Sequence, residues 1–220
     1  MKLTRDGIAR AALDLLAEHG LDGLTMRLVA KHFDVQASAL YWHVKSKREL
    51  LDAMAEVILV AASSEVEAPR QGVTWEDWTI ERASRLHAEM LRYRDGAKVV
   101  AGTNTAHPAL FRLIELSLGA MLDAGFPLDY AARSYPVIYH FTIGYTIEEQ
   151  ARLGGEYATN PYEREAMAAA VDSTRFPLTA SVLPDLFGDA GQNFEHGLRI
   201  VLAGIRSGVS SGHSAAPGDT

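Results

Sequence analysis

Apolar side chains recur at three- and four-residue steps along most of this chain, the period of helices with one buried face. Ile8, Ala11, Ala12, Leu15 and Leu16 predict a first helix from Arg5 to His19, with Gly20 at a left-handed C-cap position and a turn at Asp22-Gly23. Thr25 is placed to cap a second helix, Met26 to Phe33, and Leu24 before it can act as a staple. Asp34-Val35 is a short connection, and a third helix is predicted over Gln36 to His43. Ser46-Lys47-Arg48-Glu49 is a capping box opening a fourth, striped by Leu50, Leu51, Met54, Val57 and Ile58.

Pro69 to Val73 interrupts the pattern. Beyond it Thr74 caps a long helix reaching Tyr93, and Asp95-Gly96 begins a short segment ending at Gly102. Helices are expected from Pro108 to Ala124-Gly125, from Leu128 to Leu153, from Arg164 to Val171 and over 189–206. Residues 156–163 read as a loop, Phe176 to Leu186 as a proline-punctuated connection, and 207–220 as a disordered tail rich in Ser, Gly, Ala and Pro. Strand alternation is not sustained anywhere. The expectation is an all-α protein in two parts, a helical N-terminal domain over 1–48 and a larger helical domain over 49–206.

Charge sharpens this division. The 220 residues carry a formal −7, yet residues 1–50 hold eight basic and six acidic side chains, against 13 and 22 in the rest. An anionic partner is therefore welcome only at the N-terminal end. There is no cysteine, which excludes thiolate catalysis and cysteine-built metal sites. The six-residue apolar run Val57 to Ala62, as long as any in the chain, is far short of the ~20 residues that span a bilayer, so a cytoplasmic protein without a membrane partner is expected. His140 and Glu148 stand eight residues apart, too far along one helix for a close proton-transfer pair. No nucleophile with an adjacent base and no phosphate loop is visible, and an enzyme is not expected.

Two short helices joined by a tight turn and packed on a first form a helix-turn-helix outline. Gly20-Leu-Asp-Gly-Leu-Thr-Met-Arg-Leu-Val-Ala-Lys, followed by Ser38-Ala-Leu-Tyr-Trp-His-Val-Lys-Ser-Lys-Arg-Glu-Leu, closely resembles the DNA-binding domain of the tetracycline-repressor (TetR) family. Leu91-Arg-Tyr-Arg-Asp-Gly-Ala-Lys-Val, Gly102-Thr103, His140-Phe-Thr-Ile-Gly and Glu148-Glu-Gln are similar to the effector domain of the tetracycline-binding members themselves. The resemblance implies a homodimer on a palindromic operator, usually a repressor, released by a small organic effector. An activator of the same fold, or a helical interaction protein that leaves DNA alone, are the alternatives.

By this resemblance the third helix reads bases in the major groove. Gln36 suits adenine or guanine, Ser38 can donate or accept, Ala37 can lie on a thymine methyl, and Arg27 suits guanine or a phosphate. Thr25, Tyr41, His43 and Lys47 are assigned to the DNA backbone. Leu40 and Val44 are expected in the core, Trp42 is also placed there, and Lys31 in solvent. For the effector the resemblance points to Arg82, Leu86, Val100, Thr103, Asn104, Leu113, Ser117, His140, Phe141 and Glu148. It also shows departures: Val100 stands at the matching position of a metal-binding histidine, Asn104 at that of an arginine, and Arg82 at that of an asparagine. No cofactor and no metal site are therefore expected, with His107 as a spatial substitute for the lost imidazole left open. Asp95 to Gly102 is expected to relay between pocket and reading domain.

Overall fold

The computed structural model describes residues 3–153 and 159–212, the side chains of 210–212 excepted. Eleven helices and no strand occur among these residues. The head comprises α1 (Arg5–Gly23), α2 (Met26–His32) and α3 (Ala37–Leu40), and α4 (Lys47–Ala62) joins it to the body. The body comprises α5 (Trp75–Leu91), α6 (Gly96–Val100), α7 (Pro108–Asp123), α8 (Leu128–Arg152), α9 (Arg164–Ala170), α10 (Pro177–Leu186) and α11 (Ala190–Gly212).

The expected caps form. Thr4, Thr25, Ser46 and Thr74 each accept a bond from a backbone N–H in the first turn of α1, α2, α4 and α5. At the capping box, Glu49 Oε2 takes the N–H of Lys45 at 2.6 Å, one residue earlier than the reciprocal bond usually falls. Gly20 does take a positive φ of 61°, but its ψ of 177° is extended rather than left-handed helical, and the helical path resumes over Leu21–Gly23. That bend brings the end of α1 against Asp95.

Three expectations about elements change. The third helix is one turn, Ala37–Leu40, with Gln36 as its N-cap. Phe176 to Leu186 is a helix in all but its first residue: Pro177 opens it where a missing N–H costs nothing, and Pro184 falls in its last turn. The final helix runs on through Ser207 to Gly212, because Tyr130 donates to the Ile205 carbonyl at 2.8 Å and Val209 packs on the core. The rest of the expected tail, 213–220, and 154–158 of the expected loop lie outside the described residues.

Two apolar clusters hold the molecule together. One unites Ile8, Leu16, Leu40, Leu50 and Ile58 of the head and α4 with Met90, Val99 and Val100 of the body. The other joins α5, α7, α8 and α11 through Trp75, Met121, Phe126, Ile138, Phe194, Leu198 and Leu202. Arg206 ties α11 to α5 through Glu76 at 2.8 Å and lies over the Trp75 and Phe126 rings.

Candidate functional site: a reading head and an internal cavity

On the head, the inward positions of the one-turn α3 and the turn after it go to Leu40 and Val44, both fully buried. The outward positions carry the polar residues. Gln36, Ser38, Arg27, Thr25 and Lys47 are exposed, and Ala37 and His43 half-buried. Gln36 makes no capping bond with its side chain, so the amide is free to meet a base edge. The Thr25 oxygen accepts from Leu28 N–H at 3.1 Å, which leaves its hydroxyl proton to donate outward. Tyr41 is 47% exposed. The expectation that Trp42 packs in the core is wrong: it is 88% exposed. Leu40 and Val44, four residues apart, occupy one helical face, and Trp42 between them is turned away from it. That spacing was visible in the sequence.

In the body, α4, α5, α7 and α8 leave a cavity of about 290 Å³ between them, lined as well by the segment 103–105. Six of the expected effector residues line it: Arg82, Leu86, Thr103, Asn104, Leu113 and Ser117. Four do not. Val100 is 1% exposed and packed inside the head-and-α4 cluster. His140 is on the solvent side of α8. Phe141 packs on Phe194 of α11, and it and Glu148 border a second cleft with Arg152 and Phe187. The cause is helical rotation at 100° per residue. The cavity takes Tyr135, Ile138, Tyr139 and Thr142 from α8, an i, i+3, i+4, i+7 face, and His140 and Phe141 fall off it. Trp78, Thr105, Phe111, Tyr135 and Tyr139 are lining residues the sequence reading missed; the α8 face was legible as a spacing, whereas Thr105 lies in a loop without any period.

Burial pushes the Tyr135 hydroxyl up to about 12 and raises that of Tyr139, so both remain protonated donors at neutral pH. Ser117 and Thr142 donate to carbonyls of their own helices, and Thr103 to that of Val100. Arg82 Nε and Thr105 Oγ1 are buried without a hydrogen-bond partner and are closed off from the cavity their residues line.

The donors present do not suit a magnesium-bound ligand. Val100 offers no coordinating atom, Glu148 lies at the other cleft, and the Nδ1 of His107 already accepts from Ala109 N–H at 3.2 Å. Among the described residues no group of three His, Asp or Glu side chains comes together as a metal site.

Cavity and head are physically joined. Arg48, at the start of α4, donates to the Gly102 carbonyl, and Asp52 one turn on accepts from Asn104 N–H at 3.3 Å. Asp95, the N-cap of α6, accepts from Leu21 N–H of the head at 3.0 Å and pairs with Lys98 at 3.0 Å. Gln150 of α8 braces the same corner, accepting from Ala97 N–H and donating to the Met90 and Tyr93 carbonyls. Gly96 is required there, since any side chain would run into the Met90 carbonyl.

Residues 8–54 match the sequence model of bacterial regulatory proteins of the tetR family, and 68–209 that of the tetracyclin repressor-like C-terminal domain. The chain belongs to the TetR family. It is 36% identical over 212 residues to the Tetracycline repressor protein class A from transposon 1721 of Escherichia coli, covering 93% of this chain and 91% of that one. A possible TetR family transcriptional regulator from Streptomyces coelicolor superposes with a TM-score of 0.83 at 39% identity, over 92% of this chain and 98% of that one. The TetR family protein ActR of Streptomyces coelicolor, solved in complex with actinorhodin, gives 0.78 at 26% identity, over 95% and 99%. This TetR-family member is a ligand-responsive, DNA-binding regulator. No described helix is long and apolar enough to cross a membrane.

Proposed function

We propose that the chain is a repressor that holds a palindromic operator as a dimer and lets go when a small organic molecule, without a metal, enters the cavity. The observation that carries this reading is the bonding of the segment 102–104, which lines the cavity through Thr103 and Asn104, to α4 through Arg48 and Asp52. α4 shares its apolar core with the head, so a ligand that displaces 102–104 changes the seat of the reading helix. Bound to DNA, Gln36, Ala37, Ser38 and Arg27 meet base edges, and Thr25, Tyr41, His43 and Lys47 meet the backbone. One short helix reads few bases, and a second head ~34–36 Å away completes the site. The exposed face of α8 and α11 bearing Val137 and Ile200 is where the second copy packs. Changing operator affinity ten-thousandfold requires ~5.5 kcal/mol of differential effector binding.

The test is selection of fragments of the native genome by the purified dimer, followed by footprinting and transcription in vitro. A protected palindrome overlapping a promoter, with transcription falling as protein is added, is expected. Protection without two half-sites, or rising transcription, contradicts the proposal.

A further inference from the structure

The cavity wall offers flat apolar surface and no uncompensated charge. Trp78 sends its indole N–H to the Glu67 carbonyl at 3.0 Å, and Phe111 and Tyr139 line the same space. Among the described residues no aspartate or glutamate lines it, and its one cation, Arg82, is ion-paired with Glu81, which stands outside. An ion drawn in from water would therefore lose its hydration without gaining a countercharge. The hydroxyls of the wall are not alike. Those of Ser117, Thr142 and Thr103 already donate to backbone carbonyls, so toward a ligand they can only accept. The hydroxyl of Tyr135 makes no hydrogen bond among the described residues, yet it is not closed off as Arg82 Nε and Thr105 Oγ1 are. Burial raises it to about 12, with Tyr139 one turn along adding to the shift, so it lies deep and keeps its proton. A deep, unpaired O–H with room beside it, on a residue that lines the cavity, faces the cavity. A purely apolar occupant would strand this donor, whereas an acceptor atom would meet it.

From this we infer that the effector is an uncharged, flat ring ketone or quinone whose carbonyl oxygen accepts the Tyr135 hydroxyl proton while its rings lie among Trp78, Phe111 and Tyr139. The inference rests on the reading of the cavity as the effector site and names the chemistry that site selects. Tyr135 stands within the long helix α8, and a phenol has few rotamers to lose, so the donor is in place before the ligand arrives. Carboxylates and protonated amines are disfavoured by the same wall, which has no countercharge for either.

The test uses two ligand pairs and equilibrium dialysis of the full-length protein. Fluorenone and fluorene share their rings and differ in the carbonyl; 9-oxofluorene-2-carboxamide and its carboxylate differ in charge. The fluorenone-to-fluorene affinity ratio is expected to fall about 3–10-fold in Tyr135→Phe, the range of one neutral hydrogen bond, and comparing ratios cancels the difference in hydrophobicity between the two molecules. The carboxamide is expected to bind at least about tenfold more tightly than the carboxylate. Should Tyr135→Phe not fold, the charged pair and the infrared carbonyl stretch of bound fluorenone decide, the stretch being expected below its frequency in cyclohexane. A ratio unchanged in a folded Tyr135→Phe, a carboxylate that binds as well as the carboxamide, a stretch at the cyclohexane frequency, or no fluorenone binding up to its solubility each overturn the inference. Operator anisotropy in the same samples separates it from the reading it rests on. Tyr135-dependent fluorenone binding that leaves the operator bound contradicts the release mechanism alone, and a charged molecule that frees the operator through this cavity contradicts the neutral carbonyl alone.

Discussion

The head and the body arrange their chemistry in opposite ways. In the head the interior is filled, with Ile8, Leu16, Leu24, Leu40 and Val44 at 0% exposure, and the reactive groups stand outside on one turn of helix. In the body the interior is left partly empty, and polar residues of α5, α7, α8 and the segment 103–105 line the gap. A surface that must meet a rigid, regular partner needs side chains held on a firm base. A site that must respond to a ligand needs space, and space costs packing energy that the second apolar cluster around Trp75 and Phe194 has to supply. The two regions meet at Asp95, Arg48 and Asp52, the positions where filling one region can be felt in the other.

The sharpest way to break this contrast is to damage each interior equally. Leu40→Ala opens a hole in a filled core and is expected to cost about 2–5 kcal/mol by denaturant unfolding, with operator binding lost. Leu113→Ala, on a half-buried cavity residue, is expected to cost about 1 kcal/mol and to spare operator binding. Equal costs would mean that the cavity closes up in solution. Next, Gln36→Ala or Arg27→Ala is expected to weaken the cognate operator by about 1–3 kcal/mol while leaving scrambled DNA nearly unchanged, as read by fluorescence anisotropy. Equal losses on both DNAs would move these residues to the backbone.

The joint between the regions gives a pH signature. Burial alone would raise the Asp95 carboxyl, but the Leu21 N–H and Lys98 outweigh it and hold the group below its ordinary 3.8. The folded protein thus favours the ionised form, so its contribution is complete near neutral pH and fades as pH falls through the lowered value. Asp95→Asn is expected to be about 1–3 kcal/mol less stable at pH 7, with the deficit closing below about pH 4. A deficit independent of pH would show that the charge is not what binds head to body. The smallest effect is reserved for Lys47→Ala, which should lower the slope of log affinity against log salt by about 1 on every sequence.

How much of each region could be read in the sequence follows from the same contrast. The head is local: caps at Thr25 and Ser46 and the Leu40–Val44 spacing lie within about twenty-five residues, and the motif carried Gln36, Ser38 and Arg27 to the surface where they stand. Trp42 went astray because an aromatic side chain was given to the core ahead of the spacing that excludes it. The cavity is assembled from elements up to about eighty residues apart, so only positions with a matched resemblance could be named. Arg82, Ser117 and Asn104 reached it, whereas His140 and Glu148 were carried over by motif and lie off the face that α8 presents. The motif match named Glu148, but it is Glu149 that turns inward, 2.5 Å from His87 beneath the Phe194 ring. The helical stretch of Pro177–Leu186 was hidden by proline content, since the position of a proline within a turn is not fixed until the helix start is known.

Filling the body's cavity is expected to unseat the head. Ser117 lines the cavity from α7 and bonds only to the Leu113 carbonyl of its own helix, so Ser117→Phe places a ring in the space without removing a link to α4. The decisive measurement is operator affinity of this variant by fluorescence anisotropy, with Ser117→Ala beside it and dimer size and helix content verified for both. Ser117→Phe is expected to bind the operator at least about tenfold more weakly, ~1.4 kcal/mol, with no ligand added, and Ser117→Ala to bind as the wild type does. A folded, dimeric Ser117→Phe protein with wild-type operator affinity would contradict it.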